Sequence, residues 1–167
     1  MSLANELVGL LELEHDLYLR LSSVIEDENE ALRRWDVAGL DAMAREKEAV
    51  GAEITAGGGE IRSLLVRMAA ENGAAAGEPT VGALAKTEKN PDDARRLLET
   101  REKLLATSAR IAELNGANRS LVVNALGVTR RCIKHVNSLG GGSAETYLPG
   151  RMADEKVRPG LLLRRSY

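Results

Sequence analysis

The sequence has very few aromatic residues: phenylalanine is absent, and only one tryptophan and three tyrosines stand among 167 residues. A hydrophobic core must therefore be built from leucine, valine, isoleucine, methionine and alanine. Such a core suits closely spaced helices, whereas strands favour the aromatic and β-branched residues that are scarce here. The composition and length predict an all-α protein with one domain.

Cysteine is also nearly absent. The single residue, Cys132, cannot form an internal disulfide, and no apolar segment follows the first three residues. Nothing therefore indicates secretion through a signal peptide. No apolar run approaches the ~20 residues that a membrane-spanning helix needs. We expect a cytoplasmic protein without membrane insertion.

The net charge is only -2, but it is unevenly distributed. Eight basic and three acidic residues follow position 129, which gives this end +5 and leaves -7 for the rest. A basic end on an acidic body indicates a polar partner surface. It does not indicate nucleic acid, because interleaved aromatics and a helix-turn-helix spacing are missing and the body would repel phosphates. We expect no nucleic-acid binding.

Apolar residues recur at helical spacing along most of the chain. This pattern predicts three long helices and one short one, over residues 4–34, 37–72, 81–87 and 91–139. The first helix has a seven-residue apolar repeat that ends at Trp35, and Asp36 is expected to cap the second. We predict an elongated antiparallel three-helix bundle or coiled coil over residues 1–139. An irregular tail, residues 140–167, would bind a partner or dock.

Three consecutive glycines, Gly57–Gly59, stand in the middle of the second helix. Each costs roughly 1 kcal/mol relative to alanine in a helix, so a break is one possibility. The apolar step from Ile54 to Ile61 is nevertheless seven residues, which keeps the helical stripe in phase. We predict a continuous or merely kinked helix. The run is not a phosphate loop, because no strand precedes it and no Gly-Lys-Ser/Thr follows.

The last helix has the clearest start signal. Asn90 can cap it, Pro91 fits its first turn, and two aspartates complement the positive end of its dipole. This helix outruns the first by roughly 20 residues, and a helix of that length needs partners along its apolar stripe. The half from Leu121 to Leu139 is therefore expected to lack an internal partner.

Residues able to do chemistry are few. Glu12 and His15 have the Glu-x-x-His spacing of di-iron bundles, but such a site needs a second copy and further inward carboxylates. Cys132 and His135 lie one helical turn apart, without a third group or an oxyanion donor. Cys132 falls on the apolar stripe, where we expect it to pack as a small hydrophobe. We predict no metal, no cofactor and no enzymatic activity.

Two sequence patterns point to a known family. In the last helix, Asn115 and Asn118 stand three apart and precede the aliphatic pair Leu121 and Val122. This run resembles the third-helix signature of the FlgN family, the flagellar export chaperones for hook-associated proteins. The first two helices are similar to the family's alanine–leucine pair, aspartate, leucine and lysine–glutamate, at Ala31-Leu32, Asp36, Leu40 and Lys47-Glu48. The resemblance covers nearly the whole chain.

The resemblance implies a non-enzymatic, cytoplasmic chaperone of flagellar type III export. Such a protein binds the C-terminal helical segments of the hook-filament junction proteins FlgK and FlgL. It prevents their premature assembly and delivers them to the flagellar export gate. The alternative from a different class is a structural or adaptor coiled-coil protein that self-associates as a homodimer through the same exposed stripe.

We expect the partner surface to combine the second half of the last helix with the tail. Its candidate residues are Asn115, Asn118, Leu121, Val122, Leu126, Ile133, Val136, Tyr147, Leu161, Leu162 and Leu163. For the two asparagines the alternative is a buried amide that sets the register of the bundle. Tyr147 looks like the tyrosine by which family members contact the export gate, and the alternative is a ring packed on the bundle.

Overall fold

A computed structural model describes residues 2–71 and 79–139 of the chain. In these ranges the structure consists of four helices, and the predicted all-α fold is confirmed. The helices are α1 (Leu3–Arg34), α2 (Val37–Glu71), α3 (Val81–Thr87) and α4 (Pro91–Leu139). The predicted tail, with Tyr147 and Leu161–Leu163, lies outside the described residues.

The chain divides into two units, Met1–Val128 and Thr129–Tyr167. The first contains α1, α2, α3 and most of α4. The described part of the second is the end of α4, residues 129–139. The division expected from the sequence, after residue 139, stays a prediction.

A tight turn joins α1 to α2. Trp35 ends α1 in the left-handed conformation, with φ at 57°, and the Asp36 carboxylate accepts the backbone N–H of Gly39 at 2.9 Å. The predicted Asp36 cap is thus present. The prediction that Trp35 continues the apolar face of α1 is wrong, because its side chain is 65% exposed. A left-handed residue leaves the periodic path of the helix, so its side chain no longer follows the stripe.

Cross-helix contacts fix the directions of α1, α2 and α4 in the first unit. Lys47 of α2 pairs with Glu28 of α1 at 3.0 Å, while the start of α1 packs in one apolar cluster with the end of α2. These two helices are therefore antiparallel. Between α1 and α4 the residue numbers rise together, from Ser2–Asp93 through His15–Thr107 to Ile25–Asn118, so these two are parallel.

The core is made of aliphatic side chains in two clusters. The larger one closes the end of the bundle where α1 starts, and Leu84 of α3 plugs it with 1% exposure. Its buried members are Ala4, Leu7, Val8, Leu11, Ile61, Leu64, Met68, Leu84, Ala85 and Leu97. The second cluster joins Ile25 of α1 to Ile111 and Leu114 of α4. Each fully buried leucine or isoleucine stabilises the fold by about 1.5–3 kcal/mol.

The glycine run Gly57–Gly59 is helical throughout, because α2 is unbroken from Val37 to Glu71. A Cβ atom added at any of the three would meet nothing within 4 Å. Neither close packing nor a turn therefore requires glycine here.

Replacing the three glycines with alanine should stabilise the protein. Each substitution removes a helix penalty of about 0.8–1.0 kcal/mol, so the triple variant should unfold at a higher urea midpoint with an unchanged slope. The contrasting variant is Gly39→Ala, whose Cβ would lie 2.5 Å from the Asp36 carboxylate oxygen. That variant should lose stability. A triple variant no more stable than the parent would contradict the account of the run.

Candidate partner-binding surface

One stripe of α4 faces the other helices and is covered only along part of its length. The stripe is buried at Leu97, Thr100, Ile111, Leu114 and Asn118, and half-buried Leu104 and Thr107 lie at helical spacing between Thr100 and Ile111. Leu121 and Ala125 are half-buried, and every residue from Val128 to Ser138 is exposed. Residues of α1 and α4 that contact each other differ by about 90 in residue number. Arg34, the last residue of α1, therefore lies level with about residue 125 of α4. Burial therefore fades where α1 ends.

Within the first unit, the exposed apolar residues near this point include two of the expected anchors. Val122 is 39% exposed and Leu126 is 52% exposed, while a third anchor, Leu121, is half-buried. Val123, which was not on the expected surface, is also 59% exposed. The side chains of Val122 and Leu126 lie one helical turn apart, so they occupy one face of the helix.

Within the second unit, two further anchors are exposed on α4. Ile133 and Val136 lie three residues apart on one face, and their exposed fractions are 56% and 65%. Cys132 is exposed as well. The prediction that Cys132 packs as a small hydrophobe is wrong. Apolar residues continue at helical spacing in this part of α4, but their side chains are exposed.

The charged residues in the second half of α4, from residue 114 to residue 139, are all basic. After Glu113 the helix contains no acidic residue, but it carries four exposed basic residues, Arg119, Arg130, Arg131 and Lys134. None of the four forms an ion pair with a described residue. In the body, by contrast, basic side chains pair across helices, as in Lys47–Glu28 and Arg110–Glu26. The exposed apolar side chains are thus accompanied by basic side chains that have no ion-pair partner among residues 2–71 and 79–139.

The two expected asparagines have different environments. Asn118 is 5% exposed, and its amide group donates to the carbonyl of Ile25 at 3.0 Å and to Glu28 at 2.8 Å. Its oxygen accepts from Asn29 at 2.5 Å. Because Glu28 also pairs with Lys47, the network joins α1, α2 and α4. Asn118 therefore acts within the fold, the alternative that the sequence left open, whereas Asn115 is exposed.

We expect Asn118→Ala to destabilise the protein by about 1–3 kcal/mol, because Glu28 and Asn29 would lose a buried hydrogen-bond partner. Asn115→Ala, at an exposed site three residues away, should change the free energy of unfolding by less than about 0.5 kcal/mol. Urea unfolding of both variants measures this difference. Equal effects would contradict the structural role of the Asn118 amide.

Among the described residues, the side chains that the sequence analysis considered for chemistry do not form a catalytic or metal-binding group. The Nε2 atom of His15 lies 3.1 Å from the Thr107 hydroxyl, a contact between α1 and α4. Across residues 2–71 and 79–139, no group of three or more histidine, cysteine or acidic side chains is placed to hold a metal ion. In the same ranges, no helix is both long and apolar enough to cross a membrane.

Comparison with known protein families assigns the chain to a family. The family model described as FlgN protein matches residues 1–153. The chain belongs to the FlgN family. FlgN proteins are flagellar export chaperones that bind hook-associated proteins, and they are not an enzyme family. No curated protein and no solved structure matches the chain, so the assignment rests on the family model.

The FlgN match includes all four helices of the structure. The exposed end of α4 therefore lies inside the family region, as does Tyr147. Leu161–Leu163, by contrast, lie beyond the matched residues.

Proposed function

We propose that this FlgN protein binds the C-terminal helical segments of the hook-filament junction proteins FlgK and FlgL in the cytoplasm. It keeps them from assembling prematurely and delivers them to the flagellar export gate. The observation that carries the proposal is the exposure of aliphatic side chains on α4, with Val122 and Leu126 in the first unit and Ile133 and Val136 in the second. A helix with an uncovered apolar face can pair with an amphipathic helix of a partner.

The positive charge beside these side chains specifies the partner further. A binding segment should carry aliphatic residues on one face and acidic residues along its edges, since opposite charges steer association and reject basic competitors. Within the second unit, at about 100° per residue, Arg130 lies about 60° and Lys134 about 100° from Ile133, on the same side of the helix. They are the side chains best placed to contact acidic residues beside that anchor.

Replacing two apolar anchors with aspartate should abolish client binding without unfolding the protein. Ile133→Asp/Val136→Asp places charges in the buried part of the proposed interface, so the dissociation constant should rise at least about tenfold. Calorimetric titration with the C-terminal segment of a hook-associated protein from the same genome measures it, and circular dichroism should show unchanged helix content.

The matched control for this pair is Val66→Asp/Leu105→Asp. Both residues are 53% exposed, and neither belongs to the proposed surface. The control variant should bind like the parent. Parent-like binding by Ile133→Asp/Val136→Asp would falsify the placement of the client surface.

Reversing the positive charge should slow association. Arg130→Glu/Lys134→Glu should lower the association rate constant and reduce its dependence on salt, because edge charges act mainly on encounter. Stopped-flow kinetics at several salt concentrations checks this. Lys86→Glu/Lys103→Glu changes the net charge equally at exposed positions outside the surface. If both variants slow binding to the same degree, net charge rather than the local surface is responsible.

Delivery to the export gate is proposed to involve Tyr147, on the family resemblance described above. Tyr147→Ala should slow export of the client while the affinity for the client is kept. The two readouts are secretion of the hook-associated proteins and titration of their C-terminal segments. Loss of both, or of neither, would remove the gate role.

The alternative is a self-associating adaptor that buries the same α4 residues in a homodimer. Light scattering after size-exclusion chromatography, with and without the client segment, separates the two functions. A 1:1 complex supports the chaperone function. A stable dimer that the segment leaves unchanged supports the adaptor.

A further inference from the structure

A groove of about 560 Å³ lies between α1 and α2 at the level of the glycine run. Its apolar lining comes from both helices and includes Leu10, Leu13, Leu17, Ile54, Gly57 and Ile61. No residue of α4 lines it. Leu13, at 62% exposure, is among the most exposed large aliphatic residues of the described chain. The groove is therefore a second apolar surface, separate from the end of α4.

Gly57, the first residue of the glycine run, leaves space in this groove. Gly57 lines the groove, and the space beside its Cα is empty to at least 4 Å. The fold has no use for glycine here, yet three in a row cost the helix about 1 kcal/mol each. Glycine is otherwise selected where another molecule must approach the backbone closely. At Gly57 a helix of another molecule can therefore approach the backbone of α2 closely.

The rim of the groove is acidic. Glu14, Asp16 and Glu60 line it, and none of them forms an ion pair with a described residue. The single basic residue on the rim, Arg20, is already engaged by Glu46 and Glu53 of α2. Burial raises the pKa of the Glu14 carboxyl, so an unpaired carboxylate there is disfavoured and a cation beside it would be stabilising. The groove therefore combines an apolar floor with three acidic rim residues that have no ion-pair partner in the described part of the chain.

We propose that this groove is a second docking site, for a helix of a partner protein with aliphatic side chains on one face and lysine or arginine along its edges. The apolar floor disfavours a purely polar ligand, and the acidic rim disfavours anionic membrane surfaces and acidic helices. The end of α4 has the opposite charge. The two surfaces therefore select partners of opposite charge.

The test uses the full chain, labelled with ¹⁵N, and three designed peptides of about 18 residues, five helical turns. One peptide has a leucine face and lysine edges, the second has the same leucines with glutamate edges, and the third has serine in place of leucine with lysine edges. We expect only the leucine–lysine peptide to shift the amide signals of residues 10–17 and 53–61. Absence of these shifts, or equal shifts with the serine–lysine peptide, overturns the proposal.

Filling the groove provides the matched variants. Gly57→Leu should weaken binding of the leucine–lysine peptide at least about tenfold, while Gly51→Leu should not, because Gly51 also has open space but does not line the groove. Thermal unfolding should show that both variants keep the fold. Undiminished binding by Gly57→Leu overturns the site.

A second variant tests the charge without touching the core. Asp16→Asn/Glu60→Gln changes two exposed rim residues and should both weaken binding of the leucine–lysine peptide and flatten its salt dependence. If this variant binds the leucine–lysine peptide with the affinity and salt dependence of the parent, the proposed role of the acidic rim is overturned. None of the groove variants should alter binding of the hook-associated client segment, so failure of this proposal is distinguishable from failure of the proposed function.

Discussion

The register between α1 and α4 decides how much of α4 is covered. Asn118 holds that register through bonds to Ile25, Glu28 and Asn29 of α1. The turn at Trp35 and Asp36 ends α1 and begins α2 at the same level, so neither helix can continue alongside α4 past this point. Within the first unit, a buried amide and a tight turn together therefore set the level at which burial of the apolar stripe of α4 ends.

The described residues form two surfaces with exposed aliphatic side chains, and these surfaces differ in charge. The end of α4 carries aliphatic side chains among arginines and a lysine, whereas the groove of α1 and α2 carries aliphatic side chains among carboxylates. At either surface, burial of the aliphatic side chains against a partner would provide affinity. The charged residues beside them would determine which partner binds.

Much of the fold could be predicted from the sequence because local signals determine it. The Asp36 cap and the unbroken α2 helix follow from side-chain chemistry and apolar spacing, and Asn90 caps α4 by accepting the N–H of Asp92 at 3.1 Å. The environments of Asn118 and Cys132 could not be predicted in this way. They stand fourteen residues apart at the same phase of one helix, yet the first is buried and the second is exposed. Periodicity gives the direction of a side chain, while burial depends on whether a neighbouring helix reaches that level.

The central claim is that α4 has its binding surface where its covering helices end. Amide hydrogen exchange of the full chain, alone and with the C-terminal segment of a hook-associated protein, tests it most directly. The account predicts that the segment slows exchange over residues 121–138 and leaves the buried stretch from Leu97 to Asn118 unchanged. Protection confined to the groove of α1 and α2, or spread evenly over the bundle, would contradict it.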